Sequence, residues 1–286
     1  MTAIKCSIVI PHYDQVNHLE GCLNAIQTLD ADITFEVVII DNGTKSTAYQ
    51  LLKNKFPHFN FIEQLESRNP YTSRNKGIAV SKGDYIAFLD AKCRPREDWL
   101  KHLLQFEKTS SEIRAGSYIL NYPSDHLKDK VYGILYLNTE RNVKNNYGVT
   151  AGNLVVHKNA FKKVGLFKDD TISGNDIEWS RRALRMGYAI DYVKEAEVDY
   201  PSQSWSILSD KIRKYAEGVK DYNDDIDQPD IRQLIVLRYF LPLRWSTMQE
   251  GIRHRQLDHL SHLQRVHLWL LSWMMKIKFA RAYKAK

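Results

Sequence analysis

The sequence of 286 residues predicts an α/β fold, with a mostly parallel central sheet flanked by helices, on three observations. Short apolar runs alternate along the chain with stretches of helical periodicity. The run at 35–40 is too apolar on both faces for a half-exposed sheet and is typical of a buried parallel strand. Turn-forming residues separate the two kinds of segment at the spacing of repeated strand–helix units.

The elements of the first part can be placed in order. Strands are predicted at 6–10, 35–40, 60–63 and 85–89, and helices at 17–28, 46–55, 71–80 and 99–104. Two of these strands finish on an aspartate, Asp41 and Asp90. Because ligands of open α/β sheets bind at the carboxyl ends of the strands, both carboxylates are candidate site residues. Taken alone, Asp90 would equally serve to cap the turn that follows it.

Arg74 is a third candidate. Pro70 disfavours the helical region for Asn69, so a helix opens at Tyr71 and Arg74 falls within its first two turns. A guanidinium near a helix N-terminus at the sheet edge suits a phosphate oxyanion. The competing interpretation is a solvated surface arginine.

The second part of the chain is less regular. Strands are predicted at 110–122, 150–156, 187–193 and 196–200, helices at 157–164, 173–184 and 205–222, a helix or ordered loop at 125–138, and a polar flexible segment at 140–147. The strand at 150–156 is entered through a turn of small residues. A ligand can therefore approach the backbone at Gly152 and Asn153.

Asp176 lies in the first turn of the helix at 173–184, which Ser173 or Asn175 can cap. A helix N-terminus stabilises a carboxylate, so dipole complementation alone accounts for an acid here. Glu178 on the same turn can equally be a surface acid. A fixed carboxylate aimed at a cleft is also what a general base needs, and Asp176 is therefore the candidate base.

Positive charge is concentrated in the last residues of the chain. The net charge is +7, and residues 231–286 hold eleven Lys or Arg against two acids, so this tail carries +9 and the remainder −2. A nucleic-acid enzyme would place its positive charge around the cleft, so this distribution favours a membrane or protein partner over nucleic acid. The three cysteines form no Cys-x-x-Cys pair, which favours a reducing compartment.

The tail also contains two apolar stretches, 234–245 and 266–279, beside basic residues. Both are too short to span a bilayer but suit helices that lie in the membrane interface. Alternatively, these helices pack on the catalytic domain or mediate a homo-oligomer. We therefore predict a domain at 1–222, which binds the substrates, and a basic amphipathic extension at 223–286.

Six short motifs then occur in a recognisable order. They are Val9-Ile10-Pro11-x-Tyr13, Asp41-Asn42-Gly43-Thr44, Ser73-Arg74-Asn75-x-Gly77, Gly83-Asp84-Tyr85 with Phe88-Leu89-Asp90-Ala91, Gly152-Asn153, and Gly174-Asn175-Asp176 through Arg182. None is specific alone. Together, from about Cys6 to about Tyr222, they resemble the family 2 inverting glycosyltransferases of GT-A fold.

The resemblance implies a nucleotide-sugar donor, with a UDP-sugar favoured, and a glycan or lipid-linked glycan acceptor whose hydroxyl is deprotonated by a carboxylate. It also implies a role in envelope or capsular polysaccharide synthesis, at the cytoplasmic face of the plasma membrane. Carried over by position, the nucleotide-sugar-binding residues are Pro11, Tyr13, Asp41, Arg74, Asp90, Gly152 and Asn153. Among them Asp41 would accept a base N–H, and Asp176 would be the general base.

The sequence departs from the family pattern at two positions, and the first concerns the metal. Lys92 replaces the second acid of the Asp-x-Asp element, and Asn175 replaces the glutamate before Asp176. Mn²⁺ or Mg²⁺ prefers oxygen ligands, so Asp90 would hold such an ion against the repulsion of Lys92. Our hypothesis is that Lys92 itself neutralises the leaving group.

Three other functions compete with this interpretation. A CMP-sugar donor needs less charge neutralisation, and a non-catalytic nucleotide-sugar-binding subunit needs none. A Rossmann oxidoreductase is disfavoured because no Gly-x-Gly-x-x-Gly follows the first strand.

Overall fold

The described residues form a mixed sheet of eight strands flanked by helices. The computed structural model describes residues 4–30, 32–105, 111–170, 173–224 and 237–285. The strands are β1 Cys6–His12, β2 Phe35–Asp41, β3 Asn60–Glu63, β4 Tyr85–Leu89, β5 Arg94–Pro95, β6 Ile113–Asn121, β7 Asn153–His157 and β8 Ile190–Pro201. The helices are α1 Val16–Gln27, α2 Thr47–Lys55, α3 Pro70–Val80, α4 Trp99–Leu104, α5 Leu127–Leu135, α6 Thr139–Lys144, α7 Lys158–Val164, α8 Asn175–Arg185, α9 Trp205–Asp224, α10 Trp245–His254 and α11 His262–Lys284.

The strand order is β3-β2-β1-β4-β7-β6-β8-β5, and it confirms the predicted α/β class. Parallel pairing joins β3, β2, β1 and β4. Antiparallel pairing follows where β7 joins β4 and β6, and where β5 joins β8. The four parallel strands therefore share one carboxyl edge, at which β2 ends on Asp41 and β4 runs into Asp90.

Aromatic residues fill the core behind this edge. Phe88 of β4 packs edge-on against Phe161 and Phe167, with ring centroids 5.8 and 5.4 Å away, and Trp179 of α8 stacks against the same pair. Trp179 and Phe88 are fully buried, so α8 is fixed to the sheet by a large apolar contact. That contact also fixes the first turn of α8, which carries Asp176.

Helix α3 packs directly on β1, and Gly77 makes the close approach possible. A Cβ at Gly77 would lie 2.3 Å from Val9 Cγ1, well inside van der Waals contact. Any larger residue would push α3 away from the sheet. The glycine therefore sets the height of the helix above the strand ends.

Three predicted local structures were wrong. Residues 139–144 form helix α6 instead of a flexible segment, and its end is closed by a bond from Asn145 Nδ2 to Arg141 O. A single strand β8 replaces two short ones, because its polar middle is held by the sheet, as where Ser117 Oγ donates to Lys194 O at 2.7 Å. Helix α8 is preceded by Gly174 at φ 90°, with no side-chain cap, because a glycine accommodates this left-handed turn.

The chain divides into two compact units. The first comprises 1–118 and 139–200, and the second comprises 119–138 and 201–286. In the second unit α11 packs on α9 and α5, and the guanidinium of Arg255 donates to the carbonyls of Gly133, Tyr136 and Leu137. The boundary at 222 stays a prediction, and residues 225–236 just beyond it lie outside the described residues. No helix in the described ranges has the length and apolarity needed to cross a bilayer.

Candidate functional site

The first turns of α3 bond to two of the candidate acids and to the residue that follows the third. Asp41 and Asp90 flank β1 at the shared carboxyl edge, about 10 Å apart across two strand spacings. Ser73 Oγ of α3 donates to Asn42 Oδ1 at 2.6 Å, beside Asp41. Arg74 of the same helix pairs with Asp90, and Tyr71 bonds to Asp176.

Local sequence explains why α3 begins where it does. Asn69 is the N-cap residue in extended conformation, and its Oδ1 accepts the Tyr71 N–H at 2.9 Å. Pro70 occupies the first helical position, where its missing N–H costs nothing. This cap places Tyr71 and Arg74 on the buried side of the first turns, and the predicted helix start is confirmed.

Asp41 is buried and its carboxylate is saturated by donors. Oδ1 accepts from His12 Nδ1 at 2.8 Å and from Thr44 Oγ1 at 2.7 Å, and Oδ2 accepts from the backbone N–H groups of Thr44 and Gly43. Burial alone would raise the pKa of Asp41, but the bonds from His12 and Thr44 hold it below its ordinary value. A carboxylate offers about four acceptor positions, so a nucleobase N–H would have to displace one of these donors.

Sequence reasoning overlooked His12, which lies between Pro11 and Tyr13. Its Nε2 accepts the Gln15 N–H at 3.1 Å, so the ring is a neutral tautomer that donates through Nδ1 to Asp41. Its ring also stacks on Tyr49. The register of β1 and β2 pairs His12 directly with Asp41. Aligning the two predicted parallel strands would have placed these two side chains next to each other.

Arg74 and Asp90 form a partly buried ion pair. Arg74 Nη2 lies 2.8 Å from Asp90 Oδ1, with side-chain exposures of 7% and 30%. Burial alone lowers the pKa of Arg74, but the charge of Asp90 raises it above its ordinary value, so the guanidinium stays cationic. Arg74 Nε is buried and has no hydrogen-bond partner among the described residues. The guanidinium therefore has a donor to offer beyond its contact with Asp90.

Asp176 keeps a free acceptor position, unlike Asp41. Oδ1 accepts from Tyr71 Oη at 3.1 Å and from the Ile177 N–H, and Oδ2 accepts the Ala151 N–H at 3.0 Å. Burial, followed by the charge of Asp176, raises the pKa of Tyr71, so its phenol stays protonated as a donor. With three of about four acceptor positions filled by described residues, one lone pair on Oδ2 remains for a substrate hydroxyl.

Gly152 lies between the second and third acids. A Cβ there would lie 2.9 Å from both Asp90 Oδ2 and Tyr118 Oη, so only glycine fits. The Ala151 N–H just before it bonds to Asp176. The predicted approach of a ligand to this turn is consistent with the geometry and stays a prediction.

Asn153 is buried, and its side chain links several neighbouring elements by hydrogen bonds. Its Oδ1 accepts the Trp99 indole N–H at 2.8 Å, and its Nδ2 donates to Ser117 O at 2.9 Å and Ala196 O at 3.0 Å. These bonds tie β7 to α4, β6 and β8 directly behind Gly152. The geometry supports a positioning role for Asn153 more strongly than the predicted contact with donor.

Substitution of Asn153 by alanine should lower the free energy of unfolding by about 3 kcal/mol, because one buried indole donor and two buried carbonyls lose their partner. Urea unfolding measures the change. Asn159→Ala on the exposed side of α7 is the control and should shift stability by less than about 0.5 kcal/mol. Equal stability of the two variants would contradict this structural role for the Asn153 side chain.

Lys92 follows Asp90 by two residues and contacts an aromatic ring. Its Nζ is 4.6 Å from the centroid of the Tyr200 ring, which packs edge-on against Tyr118. No described carboxylate lies within ion-pair distance of Lys92. The ammonium is therefore positioned by a cation–π contact and is not neutralised by an acid.

The residues around Asp90 do not suit a divalent cation. One oxygen of Asp90 is paired with Arg74, and Lys92 lies two residues further on. Within the described ranges no three His, Cys, Asp or Glu side chains cluster as a metal-binding group. A hard cation can take water and substrate phosphate as ligands, but here the protein would add one open oxygen of Asp90 beside two positive side chains, which repel the ion.

The remaining predicted residues lie at the rim. Tyr13 is exposed just beyond β1, and the guanidinium of Arg68 lies 4.8 Å from its ring centroid. Pro11 is half-buried in β1. Glu178 is a buried acid bonded to Arg182 at 3.2 Å and close to Lys168, so the surface interpretation for it was wrong.

Comparison with known proteins shows which family model the chain matches. Residues 7–165 match the model of glycosyl transferase family 2. Glycosyltransferase AglE of Haloferax volcanii is 26% identical over 219 residues, which cover 74% of this chain and 72% of that protein. The poly(ribitol-phosphate) beta-glucosyltransferase of Bacillus spizizenii is 31% identical over 120 residues, 40% of this chain and 19% of that protein.

A solved structure shares the fold. The crystal structure of S. aureus TarS 1–349 matches with a TM-score of 0.55, covering 98% of this chain and 90% of that chain. Sequence identity across the match is 14%, so the likeness concerns the fold alone.

Proposed function

Since this chain belongs to glycosyl transferase family 2, we propose that it transfers a monosaccharide from a UDP-sugar to a glycan hydroxyl with inversion, using Asp176 as general base. The family and the GT-A fold class predicted from the motifs are thereby confirmed. The chain is a glycosyltransferase, and its family implies a nucleotide-sugar donor and a glycan acceptor. The identity of each substrate and the role of each residue belong to the proposal.

The free lone pair of Asp176 is the observation that carries this mechanism. The acceptor hydroxyl gives its proton to Oδ2 while its oxygen attacks the anomeric carbon of the sugar. The bond from that carbon to the donor phosphate breaks, and its electron pair leaves with the nucleotide. Bonds from Tyr71, Ile177 and Ala151 fix the carboxylate, so it needs no reorientation to accept the proton.

Arg74 and the open side of Asp90 are the proposed contacts for the donor. The guanidinium of Arg74 stays cationic beside Asp90 and can bind a phosphate oxygen, and its unpartnered Nε, buried in this structure, becomes a further donor once the side chain turns toward the donor. Asp90 Oδ2 accepts no hydrogen bond from the described residues, so it can take a ribose hydroxyl. Tyr13 and Pro11 at the rim would contact the nucleobase, and Asp41 would fix the turn beneath it.

Lys92 replaces the metal in this proposal. A fixed cation beside the leaving phosphate stabilises the charge that develops as the bond breaks. Because its ammonium is bound to no described acid, its charge is available to the donor. Arg74 supplies a second positive charge close by.

Lys92→Gln should lower kcat about a hundredfold, since a preorganised cation would be lost. Activity of the unchanged protein should survive EDTA, and Mn²⁺ should not rescue the variant. Lys162→Gln, an exposed lysine on α7, is the control and should keep full activity. EDTA inhibition that Mn²⁺ or Mg²⁺ reverses would contradict a metal-independent mechanism.

The acceptor is proposed to be a cell-envelope or capsular glycan, free or lipid-linked. Support comes from the poly(ribitol-phosphate) beta-glucosyltransferase of Bacillus spizizenii, whose name gives a hydroxyl-bearing polymer as its acceptor. Its aligned part is 40% of this chain.

A CMP-sugar donor is the second candidate, and one observation favours it. The site offers the charges of Arg74 and Lys92, which repel a metal ion, and a monophosphate carries less charge than a diphosphate.

A donor screen tests the proposal. The thermal midpoint should rise most with UDP when UDP, GDP, dTDP and CMP are compared, with or without Mn²⁺. The matching sugar nucleotide should be hydrolysed slowly, and NMR should show inversion in the transfer product. The largest shift with CMP would select the second candidate. Nucleotide binding without any turnover would indicate a non-catalytic subunit.

A further inference from the structure

The last helix of the second unit presents an apolar and basic surface. We define this surface, the α11 face, by exposed residues at helical spacing: Leu263, His267, Leu270, Met274, Lys278 and Arg281. Leu263, Leu270 and Met274 are 79, 41 and 57% exposed. Three apolar side chains and two cations thus share one side of a helix.

The opposite side of α11 is occupied. Leu268, Met275 and Phe279 are buried, and α11 packs on α9 and α5 of the same unit. The α11 face is therefore not part of the core that holds this unit together. An apolar stripe of this kind on a basic helix marks an interaction surface.

A second apolar segment runs along the helix. The indole N–H groups of Trp269 and Trp273 donate to Leu243 O and Phe240 O, both at 2.8 Å, and so attach the segment to α11. This segment carries three further exposed apolar side chains: Leu237, Leu241 and Trp245. The second unit therefore exposes apolar side chains on this segment as well as on α11.

Charge decides what covers this surface. The 23 residues of α11 contain no Asp or Glu, and Lys278, Arg281 and Lys284 cluster at its C-terminal end. A second copy of the chain would bring more cations and no acid from this helix. An anionic bilayer offers acyl chains to the apolar side chains of this surface and negatively charged headgroups to its cations.

We propose that the α11 face lies in the interface of a bilayer that contains anionic lipid. The helix carries five Lys or Arg over its length, so it lies in the plane of the membrane rather than across it. Leucine and methionine enter the acyl boundary, and the cations meet the headgroups. The proposal does not depend on which sugar is transferred.

Vesicle sedimentation of the full chain tests the proposal. The chain should pellet with phosphatidylcholine–phosphatidylglycerol vesicles and much less with phosphatidylcholine alone. Leu270→Ser with Met274→Ser should weaken the partition at least tenfold. Arg281→Gln with Lys284→Gln should weaken it about tenfold, and high salt should have the same effect.

Matched controls lie on the first unit. Leu51→Ser with Met186→Ser removes an equally exposed leucine and methionine, and Lys162→Gln with Lys163→Gln removes two exposed lysines. Both should partition like the unchanged chain. Absence of pelleting, equal partition of all variants, or a dimer in light scattering that the Leu270→Ser and Met274→Ser changes dissociate would overturn the proposal.

Discussion

Replacement of Asp176 by asparagine should lower kcat about a thousandfold while nucleotide affinity stays within about twofold. The amide fits the same space, and its one oxygen can still accept the bonds from Tyr71 and Ile177, but it loses the bond from Ala151 and cannot take the acceptor proton. The loss should therefore appear in transfer and not in donor binding. Initial rates with saturating donor, together with calorimetric titration of nucleotide, measure the two quantities.

Two further variants distinguish the role of Asp176 as base from the roles of its neighbours. Tyr71→Phe removes the phenol that bonds to Asp176 Oδ1 and should lower kcat about tenfold, because the carboxylate is less well oriented. Glu178→Gln changes the neighbouring acid, which is engaged with Arg182 and Lys168, and should alter stability more than kcat. If Asp176→Asn retained transfer or Glu178→Gln abolished it, the base would be misassigned.

The positions of the acids could be predicted because each follows from short-range sequence. Buried apolar runs end at Asp41 and Asp90, and the parallel arrangement brings both ends to one edge. Asp176 follows from the helix start alone. The hydrogen-bond partners of these acids could not be predicted from short-range sequence. Donors to Asp41 arrive from His12 across the register of neighbouring strands.

Long-range pairing also explains what sequence reasoning missed in the fold. The Lys194–Glu195 stretch is too polar to indicate a strand, but it lies beside β6, where Ser117 Oγ donates to Lys194 O, while β5 pairs further along with Val198 and Asp199. Similarly, residues 119–138 join the C-terminal helices in the second unit. That association rests on contacts such as Arg255 with Gly133, which lie 122 positions apart.

Helix α3 unifies the site because its residues serve both stability and binding. Asn69 caps it, Gly77 seats it on β1, and Tyr71 and Arg74 reach Asp176 and Asp90. A shift of α3 would therefore disturb two acids together. Arg74 is the residue of this helix that combines a buried charge with an unused donor.

Arg74→Gln should lower the free energy of unfolding by about 2 kcal/mol and nucleotide affinity about a hundredfold. A fully buried pair that loses one partner costs about 3–5 kcal/mol, and the loss here is smaller because Asp90 keeps 30% of its side chain exposed. Affinity falls because the variant loses the charge and the guanidinium donors proposed to bind the phosphate. Arg74→Lys keeps the charge but not the planar guanidinium with its several donors, and its nucleotide affinity should fall about tenfold.

The two effects can be separated by the ligand and by a second substitution. The nucleotide that binds best should lose affinity for Arg74→Gln, whereas the matching nucleoside, which has no phosphate, should bind both proteins alike. Adding Asp90→Asn should restore much of the stability, since no carboxylate is then left unpaired. If nucleoside and nucleotide weakened equally, Arg74 would act only by positioning α3 and Asp90, and the phosphate contact would be excluded.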